Sequence, residues 1–212
     1  MISIKWFGLS CFEIEDSTTI VTDPYDGNLF GLDQLDVKGD IVSISHSHLD
    51  HNSGKYLARK KETEIIDKPG ERVAKGIKVE GIPNETNYKR GNNIYYIFEL
   101  DRIRICHLGD LGYRLSERKI DEIKPVDVLL IPVGGTEGHE GREAIDLLDK
   151  IDASIIIPMH YGVEGMDIGL SDIGRFLESA KEKDLEIIEK DEIEIETLPK
   201  NKKIIKLACQ TV

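Results

Sequence analysis

Three cysteines, Cys11, Cys106 and Cys209, are all that 212 residues contain, and no two of them form a Cys-x-x-Cys pair. A set that is odd in number and widely spaced makes neither a disulfide framework nor a thiolate metal knot. Each lies in or beside an apolar segment, so buried, reduced thiols are expected. Basic charge is also scarce: 28 Lys and Arg stand against 40 Asp and Glu, a formal net charge of −12. Such a balance repels phosphate backbones, and the densest basic run, Arg59-Lys60-Lys61, is too short to line a groove, so nucleic acid is not expected as a partner. That run reads instead as the solvated end of a short helix. No apolar run approaches the roughly 20 residues that a membrane-spanning helix needs. The opening residues, Met1 to Trp6, read as a strand and lack the basic start and apolar core of an export signal. A cytoplasmic protein with no membrane partner is expected.

What is present is a change of rhythm half-way along one domain, residues 1–212. The first half reads as short strands at 2–7, 11–15, 19–22 and 41–44, then 64–67, 77–82, 93–100 and 102–107, with Ser53 as N-cap of a short helix through Lys60. In the second half, Leu115 and Ile120 flank Ser116 like a hydrophobic staple around an N-cap, opening a helix that stops before Pro125. Ala144, Leu147, Leu148 and Ile151 mark one face of a helix, and Ile173, Phe176, Leu177 and Ala180 mark another. Between them lie two continuous apolar runs, 128–132 and 155–158, of the kind found in strands buried on both faces. Residues 192–196 alternate strictly, and 203–209 form a last strand. Strands first and an α/β half after, with no internal linker or repeat, support a single domain.

The most informative stretch is Ser45-His46-Ser47-His48-Leu49-Asp50-His51, which holds three of the six histidines directly after the apolar run Ile41-Val42-Ser43-Ile44. Neutral imidazoles beside a carboxylate suit zinc, manganese or iron, and a His-x-His pair at a strand end can turn both rings toward one ion. Other strand ends offer matching chemistry: His107-Leu108-Gly109-Asp110 closes one strand and Pro158-Met159-His160-Tyr161 another.

Asp23, His46-x-His48-x-Asp50-His51, Gly109-Asp110 and His160, in this order and spacing, resemble the metallo-β-lactamase superfamily of metal-dependent hydrolases. Arg90-Gly91-Asn92-Asn93, the segment from Cys106 to Gly112, and Pro132-Val133-Gly134-Gly135 narrow the resemblance to its short bacterial and archaeal zinc-dependent hydrolases, related to the ascorbate-phosphate lactonase type. The resemblance implies an α/β, four-layer αββα sandwich of two mixed sheets flanked by helices. It assigns His46 and His48 to a first metal, Asp50, His51 and His160 to a second, Asp110 as the bridge between them, and Asp23 as a brace behind the ligands. Where the family supplies a third histidine to the first metal, this chain has Asn84 and Glu85. A weakly bound first metal, recruitment of Glu85 or His139, and a single occupied site of Asp50, His51, Asp110 and His160 all stay open, with the second site expected intact.

Three further residues have a bland reading beside a functional one. His107 is expected as a support or a buried structural histidine more than as a ligand, since it and Asp110 point to opposite faces if the strand continues. His139, in a Gly-rich loop, is an exposed residue or a substrate contact. Tyr161 packs in the core or hydrogen-bonds an oxyanion. The activity implied is attack of a metal-bound hydroxide, oriented by Asp50, on a small ester, lactone or phosphoester, with one or two Zn²⁺ and with Mn²⁺ or Fe as alternatives. The rivals are a mononuclear iron redox enzyme on the same scaffold and a metal-binding module without catalysis.

Overall fold

The computed structural model describes residues 1–85, 92–111, 115–135 and 140–212, with the side chains of Glu85 and Glu140 outside that description. In chain order the elements are β1 (Ile2–Trp6), β2 (Phe12–Glu15), β3 (Thr19–Thr22), β4 (Gly39–Ser43), α1 (Leu49–Asn52), β5 (Arg59–Ile66), β6 (Gly70–Ala74), β7 (Ile77–Glu85), β8 (Asn92–Leu100) and β9 (Ile103–His107). There follow α2 (Glu117–Ile123), β10 (Val128–Pro132), α3 (Glu140–Leu148), β11 (Ile155–Met159), α4 (Gly174–Glu182), β12 (Glu186–Lys190), β13 (Glu192–Ile195) and β14 (Lys203–Leu207).

Two mixed sheets face each other. One runs β13-β1-β2-β3-β4-β5 and the other β12-β14-β11-β10-β9-β8-β7-β6. The apolar runs of β10 and β11 pair in parallel and are buried at every position, as strands covered on both faces must be. Alternation in β13 sends Ile193 and Ile195 into the core beside β1, while its glutamates face water. Ser116 caps α2, accepting a hydrogen bond from the Lys119 amide. The helices α2 to α4 pack toward the second sheet, α3 and α4 also against each other. Over the first sheet the outer layer is reduced to α1, a 3-10 turn at Gly27–Leu29 and loops, whose Tyr25, Phe30, Leu32 and Leu35 pack with Val21 and Val42. The αββα order is therefore carried by helices on one side and mostly by loops on the other.

The helix expected from Ser53 to Lys60 is not formed. Helical turns begin earlier, at Leu49, and Ser53 is the C-cap, its hydroxyl donating to the Leu49 carbonyl and accepting from the Asp26 amide. Gly54 lies so close to the Tyr25 backbone that a Cβ would stand 2.3 Å from its carbonyl oxygen. These contacts turn the chain out of the helix, and Arg59-Lys60-Lys61 becomes the exposed start of edge strand β5, a charged edge that discourages pairing with another chain. β6 and β12 were also missed. Both are short and lean on tertiary pairing, β6 antiparallel to β7 and β12 parallel to β14. Cys11 and Cys106 are buried free thiols, and Cys209 is half-buried.

Tyr96 ties the layers together. It stands on β8 of the second sheet, fully buried, and its hydroxyl reaches the carbonyls of Ile44 (3.1 Å) and Ile66 (3.0 Å) at the ends of strands in the first. Tyr96→Phe keeps the ring and removes the donor, and is expected to lower unfolding free energy by about 1–3 kcal/mol in urea titrations. An unchanged midpoint would show that the hydroxyl does not join the sheets.

Candidate metal centre

Strand ends deliver the donors. Past β3 comes Asp23, past β4 come Ser45 and His46, past β9 comes Asp110 and past β11 comes His160. Open α/β sheets gather ligands at the carboxyl ends of their strands for the same reason: the loops there diverge and leave space. One helical turn, α1, then folds the rest of the histidine motif, with His48 as N-cap, Asp50 in the first turn and His51 in the last. The turn sends His51 inward to full burial and leaves His48 exposed.

Asp50, His51 and His160 form one group. The Nε2 of His51 lies 3.2 Å from Nε2 of His160 and 3.3 Å from Oδ2 of Asp50, which is itself 3.2 Å from Nε2 of His160. Tetrahedral donors about 2.0–2.1 Å from a cation stand about 3.3–3.4 Å apart, so this triangle has the size of one face of such a shell. His46, His48 and Asp110 form a second group, their donor atoms within 4.8 Å of one another. It is the more open of the two, with His48 exposed and Asp110 half-buried. The Nε2 of His46 is buried with no hydrogen-bond partner among the described residues, an orphan that a cation would satisfy. The His46 and His51 rings are 4.1 Å apart between centroids, so the groups adjoin. Residues of this kind fit one or two divalent cations.

Behind both groups lies Asp23, buried and at a positive φ of 39°. Its Oδ1 accepts the Ser45 amide at 2.6 Å, and its Oδ2 accepts the Ser45 hydroxyl at 2.5 Å and His51 Nδ1 at 2.7 Å. A charge without water needs this many partners. Burial alone would lower the His51 pKa, but the Asp23 and Asp50 carboxylates raise it from 6.5 to about 10. Both carboxyls, against the effect of their own burial, are held below their usual range by the histidines they touch. His46 moves the other way: burial and the charge on His51 lower it to about 4 against the pull of Asp23 and Asp110.

The remaining candidates separate. His107 is buried, its Nε2 donating to the Ser10 carbonyl at 2.9 Å and its Nδ1 accepting from the Gly109 amide at 3.2 Å. Both nitrogens are thus engaged in holding the turn that presents Asp110. Gly109 sits at φ 57°, where a Cβ would come within 2.3 Å of Asn93 Oδ1, and Asn93 Nδ2 holds the Leu108 carbonyl at 2.9 Å. Tyr161 is buried with its ring packed on Trp6, 4.7 Å between centroids. Asn84 is partly buried on β7 opposite Asn93 of β8. The Glu85 side chain and His139 lie outside the described residues. Ser45 and Asn93 were not singled out from the sequence as supports. Ser45 is marked in the sequence by its place directly before the histidine motif, and Asn93 by its place in the Arg90-Gly91-Asn92-Asn93 segment.

From residue 3 to residue 160 the chain matches the profile of the β-lactamase superfamily domain. It is a member of that superfamily. A UPF0173 protein of Pyrococcus abyssi is 30% identical over 189 residues, covering 77% of this chain and 85% of the relative. A UPF0173 metal-dependent hydrolase of Thermoplasma volcanium is 26% identical, covering 76% and 83%. Among solved structures, a Thermotoga maritima member of the metallo-β-lactamase superfamily superposes with a TM-score of 0.78 at 35% identity over 98% of both chains. Igni18 of Ignicoccus hospitalis shares the fold, with a TM-score of 0.66 at 22% identity over 86% of this chain and 91% of its own. Within the superfamily the chain stands among the metal-dependent hydrolases.

The raised His51 pKa gives the metal-free superfamily member a pH signature. Charge on His51 stabilises the fold fully below the ordinary value of 6.5, and that contribution is lost as pH rises toward about 10. Urea midpoints measured in chelator are expected to fall between about pH 7 and 9, and His51→Gln to flatten that slope. A slope equal in both proteins would show that His51 is not charged in the metal-free fold.

Proposed function

We propose that the protein is a hydrolase of small ester, lactone or phosphoester substrates that works with one or two bound divalent cations, Zn²⁺ first and Mn²⁺ or Fe as alternatives. The carrying observation is the pair of adjoining donor groups, one closed into a 3.2–3.3 Å triangle and the other open to solvent. Nitrogen and oxygen donors without thiolate suit these borderline and hard cations, and none of the cysteines joins either group. Asp50, His51 and His160 would hold one cation, and His46, His48 and Asp110 the other. When bound, the cation supplies Lewis acidity and brings the pKa of a coordinated water from 15.7 down to about 7.

The chain's own residues do the rest. Asp50, partly exposed at the edge of the buried triangle, would accept a hydrogen bond from an attacking water and hold its lone pair toward a carbonyl or phosphoryl centre. His48 and Asp110 border the approach from solvent, where a substrate oxygen would arrive. Asp23, directly for His51 and through Ser45 for the loop, keeps the imidazoles oriented while charge changes in front of them. The Thermotoga maritima relative, for which zinc-dependent hydrolysis has been suggested, supports zinc, and the relatives called metal-dependent hydrolases support the reaction class. A small-molecule substrate in the cytoplasm and a single domain are part of the same reading. The strongly acidic chain, −12 overall, argues against nucleic acid. No described helix is long and apolar enough to cross a membrane.

Elemental analysis of protein purified without chelators is expected to give between one and two zinc, manganese or iron atoms per chain. Asp110→Ala should reduce that content and abolish turnover of an ester, lactone and phosphodiester panel. Metal-free protein that stays inactive after reconstitution with each cation would overturn the proposal.

A further inference from the structure

Ser45 sits where the two donor groups meet. It is fully buried, and its hydroxyl has three polar neighbours: Asp23 Oδ2 at 2.5 Å, His46 Nδ1 at 3.0 Å and His51 Nδ1 at 3.4 Å. A hydroxyl has one proton to give, and an ionised carboxylate can only accept. The proton of Ser45 therefore points to Asp23, and the oxygen lone pairs face His46. Nδ1 of His46 must then be the protonated nitrogen, donating to Ser45, which leaves Nε2 with a bare lone pair. That Nε2 is the buried atom with no described partner. For His51 the same carboxylate acts directly, since Nδ1 donates to Asp23 and Nε2 faces Asp50 and His160.

We propose that Ser45 is a positioning residue that extends the grip of Asp23 from His51 to His46, so that one buried carboxylate fixes Nδ1 as the donating nitrogen of an imidazole in each group. The inference rests on the metal-site reading for its consequence, because a neutral imidazole binds a cation through an unprotonated nitrogen whose identity the other nitrogen's hydrogen bond decides. It does not rest on that reading for its geometry. Ser45 is built into place: its amide donates to Asp23, its carbonyl accepts the Ile94 amide at 2.9 Å, and its Cβ would stand 2.6 Å from any Cβ added at Gly109. The turn carrying Asp110 therefore packs on the same residue that orients His46.

Two measurements test this. Long-range ¹H–¹⁵N correlation spectra of metal-free protein labelled at histidine report the tautomer with no cation present. His46 is expected as the Nδ1–H form in the wild type and is expected to lose that preference in Ser45→Ala. An Nε2–H form in the wild type, or an unchanged His46 in the variant, overturns the proposal. Calorimetric titration with Zn²⁺ supplies the second readout. Ser45→Ala should weaken one binding event by about 10–100-fold and leave the other within about twofold, whereas Asp23→Asn should weaken both. Equal loss of both events in Ser45→Ala would make Ser45 a general structural support and overturn its specific role. If the wild type took up no Zn²⁺, the metal reading would fail, and the spectra would still decide the role of Ser45.

Discussion

The hydrogen bonds converging on the Asp23 carboxylate are the interaction on which the arrangement of both donor groups depends. Asp23 lies away from water, where an unpaired charge would cost several kcal/mol, and the fold answers with the Ser45 amide, the Ser45 hydroxyl and His51 Nδ1. These partners come from the strand end after β4 and from α1. The histidine loop is thereby drawn against the end of β3, with which β4 is paired in parallel. A positive φ at Asp23 and another at His160 (54°) show that backbone is held off its preferred region at two points of the same centre. Such strain persists where surrounding contacts over-determine the conformation, and here they do.

A second set of contacts fixes the opposite side. The tight turn between β1 and β2 offers its carbonyls inward. Leu9 accepts from the His160 amide and from the Trp6 indole, and Ser10 accepts from His107 and from the Thr22 hydroxyl. That turn is itself held by the C-terminal segment, where Thr211 Oγ1 donates to the Phe7 carbonyl, and by the Tyr25 hydroxyl, which donates to the same oxygen. The last residues of the chain and the first loop thus form one support beneath His160, while His107 carries the support across to Gly109 and Asp110. Neither His107 nor Tyr161 reaches outward. Their work is in the frame, one through two hydrogen bonds and the other through its packing on Trp6.

The two donor groups differ in their contact with solvent, and the difference follows from the single turn of α1. His48 and His51 are three positions apart, just under one helical turn, yet one is an N-cap outside the helix and the other a last-turn residue facing in. The result is an enclosed triangle next to an open group, with 4.1 Å between the rings of His46 and His51 across the boundary. Charge is distributed the same way. Against its burial, Asp23 and Asp50 raise the pKa of His51, whereas burial and the neighbouring His51 lower that of His46.

Much of the fold was legible locally because local stereochemistry and burial pattern decided it. The apolar runs of β10 and β11 had to be strands covered on both faces, the alternation of β13 had to pair with a half-buried neighbour, and Ser116 had to cap α2. The donor residues were legible for a similar reason: four of them lie within six positions of each other, and Gly109-Asp110 and His160 follow recognisable strands. Where local propensity was overruled, a distant contact did it. The helix expected after Ser53 gave way to α1 and β5 because Gly54 meets the Tyr25 backbone and Ser53 meets Asp26, residues nearly thirty positions earlier. The strands β6 and β12 formed because β7 and β14 offered them partners. The sequence by itself determined which side chains could bind a cation and which strands would carry them. Their division into a closed and an open group, and the linking of both through Ser45 to Asp23, were decided by tertiary structure, because hydrogen-bond direction and ring separation exist only once residues 22 to 110 positions apart have been packed together.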